Sequence, residues 1–218
     1  MEKKINKTHL PTKLVCLLAI ALLAPLAHAS ILGNGSTAPP SPLFPTGTTL
    51  ATTSGTITTP TFSADYTTSV LRDPFNTFCS GCLDFIYQYT NNGPDVNERY
   101  TMSSFAGFMV DAGTNPFGVH DPITVSRSFI ANGQVISFNF DQFGDEMLPG
   151  TTTVTLVIET NALTYTTGFL SAQDGTAGSG VGYAPLSAVP EPGSLALMGG
   201  GLSVLGLLLR NVRFGKSV

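Results

Sequence analysis

The sequence has few charged side chains, no tryptophan and, between its two ends, no lysine. Charged residues make up 11% of the 218 residues, and seven of the ten basic side chains lie in the terminal segments. Between residues 30 and 189, twelve acidic side chains stand against three arginines, which gives this body a net charge of −9. Phosphate neutralisation requires clustered lysine and arginine. We therefore exclude nucleic-acid binding.

Cysteine and histidine are also scarce, with three of each. No second cysteine pair or nearby histidine completes a zinc site around Cys79 and Cys82, so we expect no metal and no cofactor. His120 is the only histidine beyond the first thirty residues, and no Gly-x-Ser-x-Gly motif accompanies it. A surface loop is preferred over a catalytic base, and we expect the protein not to be an enzyme.

The N-terminal 29 residues have the three-part layout of a secretory signal peptide. Lysines precede an uncharged apolar run at 14–26, which is followed by Ala27-His28-Ala29. Small residues at Ala27 and Ala29 suit a signal peptidase, so we predict cleavage between Ala29 and Ser30. The alternative, an uncleaved anchor helix, is disfavoured because the apolar run is shorter than the ~20 residues that a span needs.

A second apolar segment lies at 193–209 and contains no charge in 17 residues. As a helix it would extend about 25 Å, close to the ~30 Å of a hydrocarbon core, and we predict a transmembrane helix. Arg210, Arg213 and Lys216 follow as a stop-transfer basic cluster that holds this end in the cytoplasm. A buried core helix is the alternative, which the glycines at 199, 200, 201 and 206 disfavour.

The tetrad Val189-Pro190-Glu191-Pro192 directly precedes this segment. The prolines make it a stiff, accessible stretch. Followed by a Gly-rich apolar segment and then a basic cluster, it resembles the PEP-CTERM sorting signal over residues 188–214. The resemblance implies that Pro190, Glu191 and Pro192 are recognised by an exosortase, a membrane transpeptidase that removes the tail after secretion. A permanent single-pass anchor with a chance Pro-Glu-Pro is the alternative.

Composition divides the exported body into three parts before a sorting tail at 188–218. Residues 30–60 are rich in Thr, Ser and Pro and predict an extended stalk, although residues 55–59 fit a first strand. Residues 61–173 predict a β-rich domain. Residues 174–187 are rich in glycine and predict a flexible linker.

Within the β-rich part the dominant hydrophobic period is two. Alternation at 83–89, 123–129 and 153–158 predicts strands, and Asn132-Gly133 predicts a hairpin turn. Recurrent turn clusters, including 91–94, 113–116 and 149–150, favour an all-β fold, an antiparallel sandwich or a jelly-roll-like domain.

Two local motifs in the body invite a chemical interpretation. Cys79 and Cys82 are expected to form a disulfide in an exported protein. A redox couple would need a helix after the first cysteine, whereas a strand pattern follows, so we prefer a structural disulfide worth about 2 kcal/mol. The acidic segment 141–146 lacks EF-hand spacing; we favour a solvated turn and leave calcium binding open.

Two function classes remain. The first is a structural or adhesive component of the cell surface or extracellular matrix, associated with exopolysaccharide and reached through an inner-membrane intermediate. The second is a secreted carbohydrate-binding module or hydrolase acting on exopolysaccharide. Four tyrosines that we expect to be exposed motivate the second class: Tyr66, Tyr87, Tyr89 and Tyr100.

Overall fold

A computed structural model describes residues 31–115, 120–140 and 146–186 of the chain. The predicted signal peptide and the predicted transmembrane segment lie outside these ranges. Regular structure in the described ranges consists of β-strands and one turn of 3-10 helix, Ile130–Asn132, so the prediction of an all-β body is confirmed. No helix long and apolar enough to cross a membrane occurs in those three ranges.

Twelve strands form two six-stranded sheets. The first sheet has the order β1-β8-β9-β6-β11-β12 and the second has the order β2-β7-β10-β5-β4-β3. Neighbours pair antiparallel, except that β2 runs parallel to β7. The strands are β1 Thr37–Ala38, β2 Ser41–Pro42, β3 Thr48–Thr58, β4 Phe62–Asp73, β5 Cys82–Pro94, β6 Arg99–Met102, β7 Val110–Asn115, β8 Thr124–Arg127, β9 Ile136–Asn139, β10 Thr155–Thr160, β11 Thr164–Asp174 and β12 Thr176–Leu186.

The core lies between the two sheets and is rich in aromatic side chains. Alternate residues of β5 point inward, as their period of two predicts, and meet inward residues of the facing sheet. Tyr89 stacks on Tyr100 with ring centroids 3.9 Å apart, and Phe85 meets Phe105 edge-on at 5.6 Å. The first contact joins the two sheets into a sandwich, and the second packs the β6–β7 loop against β5.

The expectation that four tyrosines are exposed is wrong. Tyr66 is 8% exposed, and Tyr87, Tyr89 and Tyr100 are at most 1% exposed. The hydroxyl of Tyr87 donates to the Tyr183 carbonyl at 2.8 Å, so the polar tip is satisfied inside the sandwich. A tyrosine within a period-two strand faces the core whenever the apolar residues two positions away do, and the pattern of β5 places both of its tyrosines on the inward face.

The prediction of an extended stalk at 30–60 is wrong for its described part. β3 pairs with β4 along nearly its whole length, and β1 and β2 each join a different sheet. Leu32, Leu43 and Ile57 are buried and anchor this segment to the core. Threonine suits a pleated, half-buried surface, so a Thr-rich composition is compatible with an edge strand as well as with disorder.

The prediction of a flexible linker at 174–187 is also wrong. Residues 176–186 form β12, which pairs with β11 from end to end. A Cβ at Gly180 would lie 2.6 Å from the Tyr66 ring, and one at Gly178 would lie 2.5 Å from Ile57. The glycines therefore allow β12 to approach the facing sheet closely.

The predicted hairpin around Asn132-Gly133 is confirmed. β8 and β9 pair antiparallel, and both Asn132 and Gly133 have positive φ, at 53° and 73°. The connection is longer than a two-residue turn, because Arg127 and Ile136 are the last paired residues. Ala131 shares the left-handed conformation, with φ 52°.

Candidate functional site

The processing residues that the sequence predicts lie outside the described residues. They are the cleavage site Ala29 and Ser30, the sorting residues Pro190, Glu191 and Pro192, and the basic cluster Arg210, Arg213 and Lys216. The structure describes the body that separates these sites. The first and last folded residues of this body limit how far each processing site can lie from the sandwich.

On the N-terminal side, folded structure begins almost at the predicted cleavage site. Leu32 is 4% exposed, and its backbone N–H donates to the Val110 carbonyl at 2.8 Å. Only Ser30 and Ile31 separate it from Ala29. Leu32, the third residue after the predicted cleavage site, is thus packed in the sandwich.

Arg127 fastens this segment to two loops. Its side chain is 5% exposed, and burial lowers the pKa of its guanidinium. Its side chain donates four hydrogen bonds to backbone carbonyls, which suits a fork of five donors. The acceptors are the carbonyls of Leu32 at 3.1 Å, Phe105 at 3.1 Å, Phe108 at 2.9 Å and Gly133 at 3.0 Å.

On the C-terminal side, β12 ends at Leu186, and three residues separate it from Pro190. A chain of this length spans at most about 14 Å from the Leu186 Cα to the Pro190 Cα. The same limit for Pro192, six residues after Leu186, is about 22 Å, so an enzyme that recognises Pro190 to Pro192 would bind within that distance of Leu186.

Both described ends of the chain leave the sandwich at the same end. Leu186 is paired with Thr164 at the start of β11, directly after β10 ends at Thr160. Thr160 is in turn paired with Val110, which accepts the hydrogen bond of Leu32. We call this the proximal end, and we call the opposite end, where β11 turns into β12, the distal end.

The disulfide closes a loop at the proximal end. Cys79 and Cys82 are bonded, with Cα atoms 5.3 Å apart, and the Cys82 N–H donates to the Cys79 carbonyl at 3.1 Å. Gly81 between them has φ +82°, which glycine adopts without strain. Strand β5, rather than a helix, begins at Cys82, and this arrangement favours the structural interpretation of the pair.

Beneath this loop, four acidic side chains form a row across one sheet. Glu159 on β10 is paired with Asp84 on β5 on one side and with Asp111 on β7 on the other. Asp73 ends the neighbouring strand β4. Their side chains are at most 6% exposed. We call these four residues the carboxylate row.

Loops and short strands cover the carboxylate row and donate hydrogen bonds to it. The donors are Thr46 N to Asp73 at 2.7 Å, Asn76 Nδ2 to Asp84 at 2.6 Å, Ser41 Oγ to Asp111 at 3.1 Å and Thr77 N to Glu159 at 3.2 Å. Within the described ranges, Oδ2 of Asp84 and Oδ2 of Asp111 accept no hydrogen bond.

The burial of the row changes its protonation. Burial raises the pKa of Asp84 to about 8; the Asn76 hydrogen bond opposes this, and the neighbouring Asp73 and Glu159 reinforce it. Burial also raises the pKa of Asp111 to about 6. Asp84 therefore carries a proton at neutral pH, so that less negative charge is buried.

Sequence reasoning missed the carboxylate row. A usable signal exists, because two of its members interrupt apolar strand segments, in Leu83-Asp84-Phe85 and Val110-Asp111-Ala112. A carboxylate in such a segment is either exposed on the outer face or covered by another element. Which of the two applies depends on the loops above it.

The remaining chemical candidates are His120 and the acidic segment 141–146. His120 is half-buried, its Nε2 lies 3.0 Å from the Glu146 carbonyl oxygen, and its ring stacks on Phe140. Residues 141–145 lie outside the described ranges. Among the residues that the structure describes, no group of three or more His, Cys, Asp or Glu side chains is arranged to hold a metal ion.

The outer face of β3, β4 and β5 carries mostly polar side chains. Thr52 Oγ1 and Ser69 Oγ lie 2.9 Å apart, and Thr56 donates to Asp65 at 2.6 Å. This hydrogen bond is the main reason why the pKa of Asp65 is lowered. We call this surface the hydroxyl face; its exposed or half-buried members are Thr52, Ser54, Thr56, Asp65, Thr67, Ser69, Gln88 and Thr90.

A polar recess of about 270 Å³ lies at the distal end. Glu98, Arg99, Gln173 and Asp174 line it together with the β11–β12 turn. Burial raises the pKa of Asp174, and the nearby Asp95 adds to this. Two carboxylates and a guanidinium can form hydrogen bonds with a hydroxylated ligand.

Comparison with known proteins identifies the tail. Residues 188–213 match the family model of the PEP-CTERM protein-sorting motif. No curated protein and no solved structure matches the chain.

Proposed function

Because the chain carries a PEP-CTERM protein-sorting motif, which marks an exported surface protein targeted to an exosortase, we propose a structural or adhesive role in an exopolysaccharide matrix. The match at residues 188–213 is the observation that carries this proposal. The export route runs through signal peptidase, an inner-membrane intermediate and then the exosortase.

The body supports a non-enzymatic role through its surface. The hydroxyl face presents rows of Thr and Ser hydroxyls on paired strands, spaced by the strand separation of about 4.8 Å. Such a surface matches the donors and acceptors of a polyhydroxylated polymer. Many weak contacts on a rigid sheet give avidity along a long chain.

Sorting is tested by removing the two prolines. Pro190→Ala with Pro192→Ala should leave the protein in the inner-membrane fraction with its tail attached, because the stiff recognition segment is lost. Pro149→Ala, at an exposed turn of the body, is the matched control and should be processed normally. Normal release of the double variant, measured by fractionation and intact mass, would contradict recognition of this segment.

Adhesion is tested with purified matrix polysaccharide. Thr67→Val and Gln88→Leu remove polar groups from the hydroxyl face and should weaken co-sedimentation with the polymer. Ser179→Val on β12, a solvent-facing position of the other sheet, serves as the control. Equal binding by all three variants would contradict a role for the hydroxyl face.

The distal recess favours one alternative, a carbohydrate-binding module or hydrolase. Glu98 and Asp174 both line it, and paired carboxylates are the usual catalytic groups of glycoside hydrolysis. Incubation of the protein with the same polysaccharide, followed by measurement of new reducing ends, tests this. Turnover that is lost in both Glu98→Gln and Asp174→Asn would replace the structural role by an enzymatic one.

A further inference from the structure

Exposed apolar side chains are concentrated at the proximal end. Of the twelve large hydrophobic residues that are exposed in the described ranges, seven lie on the loops or chain ends there. Ile31 is one, at the first described residue. The other six are Phe75 at 81% exposed, Met109 at 44%, Phe129 at 82%, Ile130 at 80%, Leu163 at 59% and Leu186 at 46%.

Hydrogen bonds between the loops hold these side chains at one end of the sandwich. The Met109 N–H donates to Asn161 Oδ1 at 3.0 Å, which ties the β6–β7 loop to the β10–β11 turn. The Gly107 N–H donates to the Asn132 carbonyl at 3.4 Å, which ties it to the β8–β9 hairpin. The Leu83 N–H, directly after the disulfide loop, donates to the Ala162 carbonyl at 2.9 Å, which ties this loop to the β10–β11 turn as well.

Exposed carboxylates, in contrast to the exposed apolar side chains, are concentrated towards the distal end. The members of the carboxylate row, which lie towards the proximal end, are buried, and Arg72 at the end of β4 is exposed there. The exposed or half-buried carboxylates of the described ranges lie towards the distal end: Asp65, Asp95, Glu98, Asp121, Glu146 and Asp174. Within the described ranges, the proximal end therefore presents no exposed carboxylate to anionic lipid headgroups.

The short stretch of sequence between Leu186 and the apolar segment indicates what the proximal end faces. The uncharged segment 193–209 begins seven residues after Leu186, so at most about 25 Å of chain separates the sandwich from the apolar segment. If this segment sits in a bilayer, Leu186 lies close to the membrane surface. The end of the sandwich that carries Leu186 is then the end nearest the lipid.

We propose that the proximal end docks on the non-cytoplasmic surface of the lipid bilayer while the tail is attached, with Phe75, Phe129 and Ile130 inserted among the headgroups. This inference rests on the proposed function, because it requires the tail to anchor the chain before processing. Aromatic and aliphatic side chains on loop tips partition into the interface and bury their apolar area there. Docking would hold Pro190 to Pro192 at the depth of a membrane-embedded peptidase.

The absence of tryptophan from the chain allows a direct test. Phe129→Trp and Phe75→Trp each place a single reporter at the proximal end, and Leu148→Trp places one at the distal end as a matched control. The tail-bearing chain is purified from cell membranes and reconstituted in phosphatidylethanolamine and phosphatidylglycerol vesicles that contain a brominated phosphatidylcholine. All three sites are at least half exposed, so the substitutions leave the core intact.

The two proximal reporters should emit at shorter wavelength than the distal reporter in the same vesicles and should lose emission to the brominated lipid, whereas the distal reporter should keep its emission when brominated lipid is present. Flotation of the vesicles distinguishes a failure of membrane anchoring from a failure of docking. A chain that does not float would overturn the anchored intermediate and the docking with it. A chain that floats with water-exposed proximal reporters would overturn the docking alone, as would shielding that occurs only in native membranes, since that would indicate a protein partner.

Discussion

Replacing Asp84 by asparagine should stabilise the protein in mildly alkaline solution. Burial raises the pKa of Asp84 from 3.8 to about 8, so the folded state holds a proton that the unfolded state releases. The resulting stability is fully present below about pH 4 and is lost as the pH rises through about 8. At ~1.4 kcal/mol per unit, the whole shift corresponds to at most about 6 kcal/mol.

The side-chain amide introduced by Asp84→Asn reproduces the shape of the protonated carboxyl and can still accept the hydrogen bond from Asn76. Urea unfolding at pH 6.5 and at pH 9 measures the effect, because these two values bracket the pKa of Asp84 and both lie above the pKa of Asp111, which is about 6. Wild-type protein should lose stability between these two values by a few kcal/mol, within the limit above, and Asp84→Asn should lose much less.

Asp65→Asn is the control for a carboxylate on the surface. The pKa of Asp65 is lowered, chiefly by the Thr56 hydrogen bond, so its small contribution has the opposite sign and is lost only in acid. The control should therefore keep the wild-type loss between pH 6.5 and pH 9. An equal loss in all three proteins would refute the argument that Asp84 is buried as a neutral acid.

Three further changes test the packing of the body by urea unfolding. Gly180→Ala should cost about 1–3 kcal/mol because the new methyl group overlaps the core. Ser179→Ala on the outward face should cost little. Equal effects of the two changes would contradict the packing of β12 against the facing sheet. Arg127→Met should cost at least about 3 kcal/mol, since several buried carbonyls lose their donor, and a near-neutral result would contradict its role in fastening the loops. Double replacement of Cys79 and Cys82 by Ser should cost about 2 kcal/mol, and no loss would show that the bond constrains nothing.

The sequence predicted those parts of the fold that depend on local pattern. The alternation at 83–89 predicts the strand β5, although not the burial of its tyrosines, and Asn132-Gly133 predicts the hairpin because both residues tolerate positive φ. The disulfide follows from two close cysteines in an exported chain. The sorting signal is likewise a short linear pattern, and the family match confirms it.

The predictions that were wrong concern segments whose structure depends on partners distant in sequence. The glycines of β12 indicate a linker when read alone, and they become strand positions only because Tyr66 and Ile57 occupy the space that side chains would need. Gly113 shows the same effect: it belongs to a predicted turn, yet it lies within β7 against the Ser41 backbone.

The carboxylate row illustrates the limit for sites. Its members Asp73, Asp84, Asp111 and Glu159 come from four strands, and only the register of the sheet brings them side by side. Their burial depends on the β4–β5 loop, which precedes and contains the disulfide, and on the strand β2. No spacing rule within one segment could predict such a group.

The central claim is that the chain is exported and that its tail is a removable sorting signal. Intact-mass measurement of the protein recovered from the cell surface or the surrounding matrix tests it most directly. We predict a chain that begins at Ser30 and lacks the apolar segment 193–209. A surface protein that still carries this segment, or a body found only in the cytosol, would contradict the account.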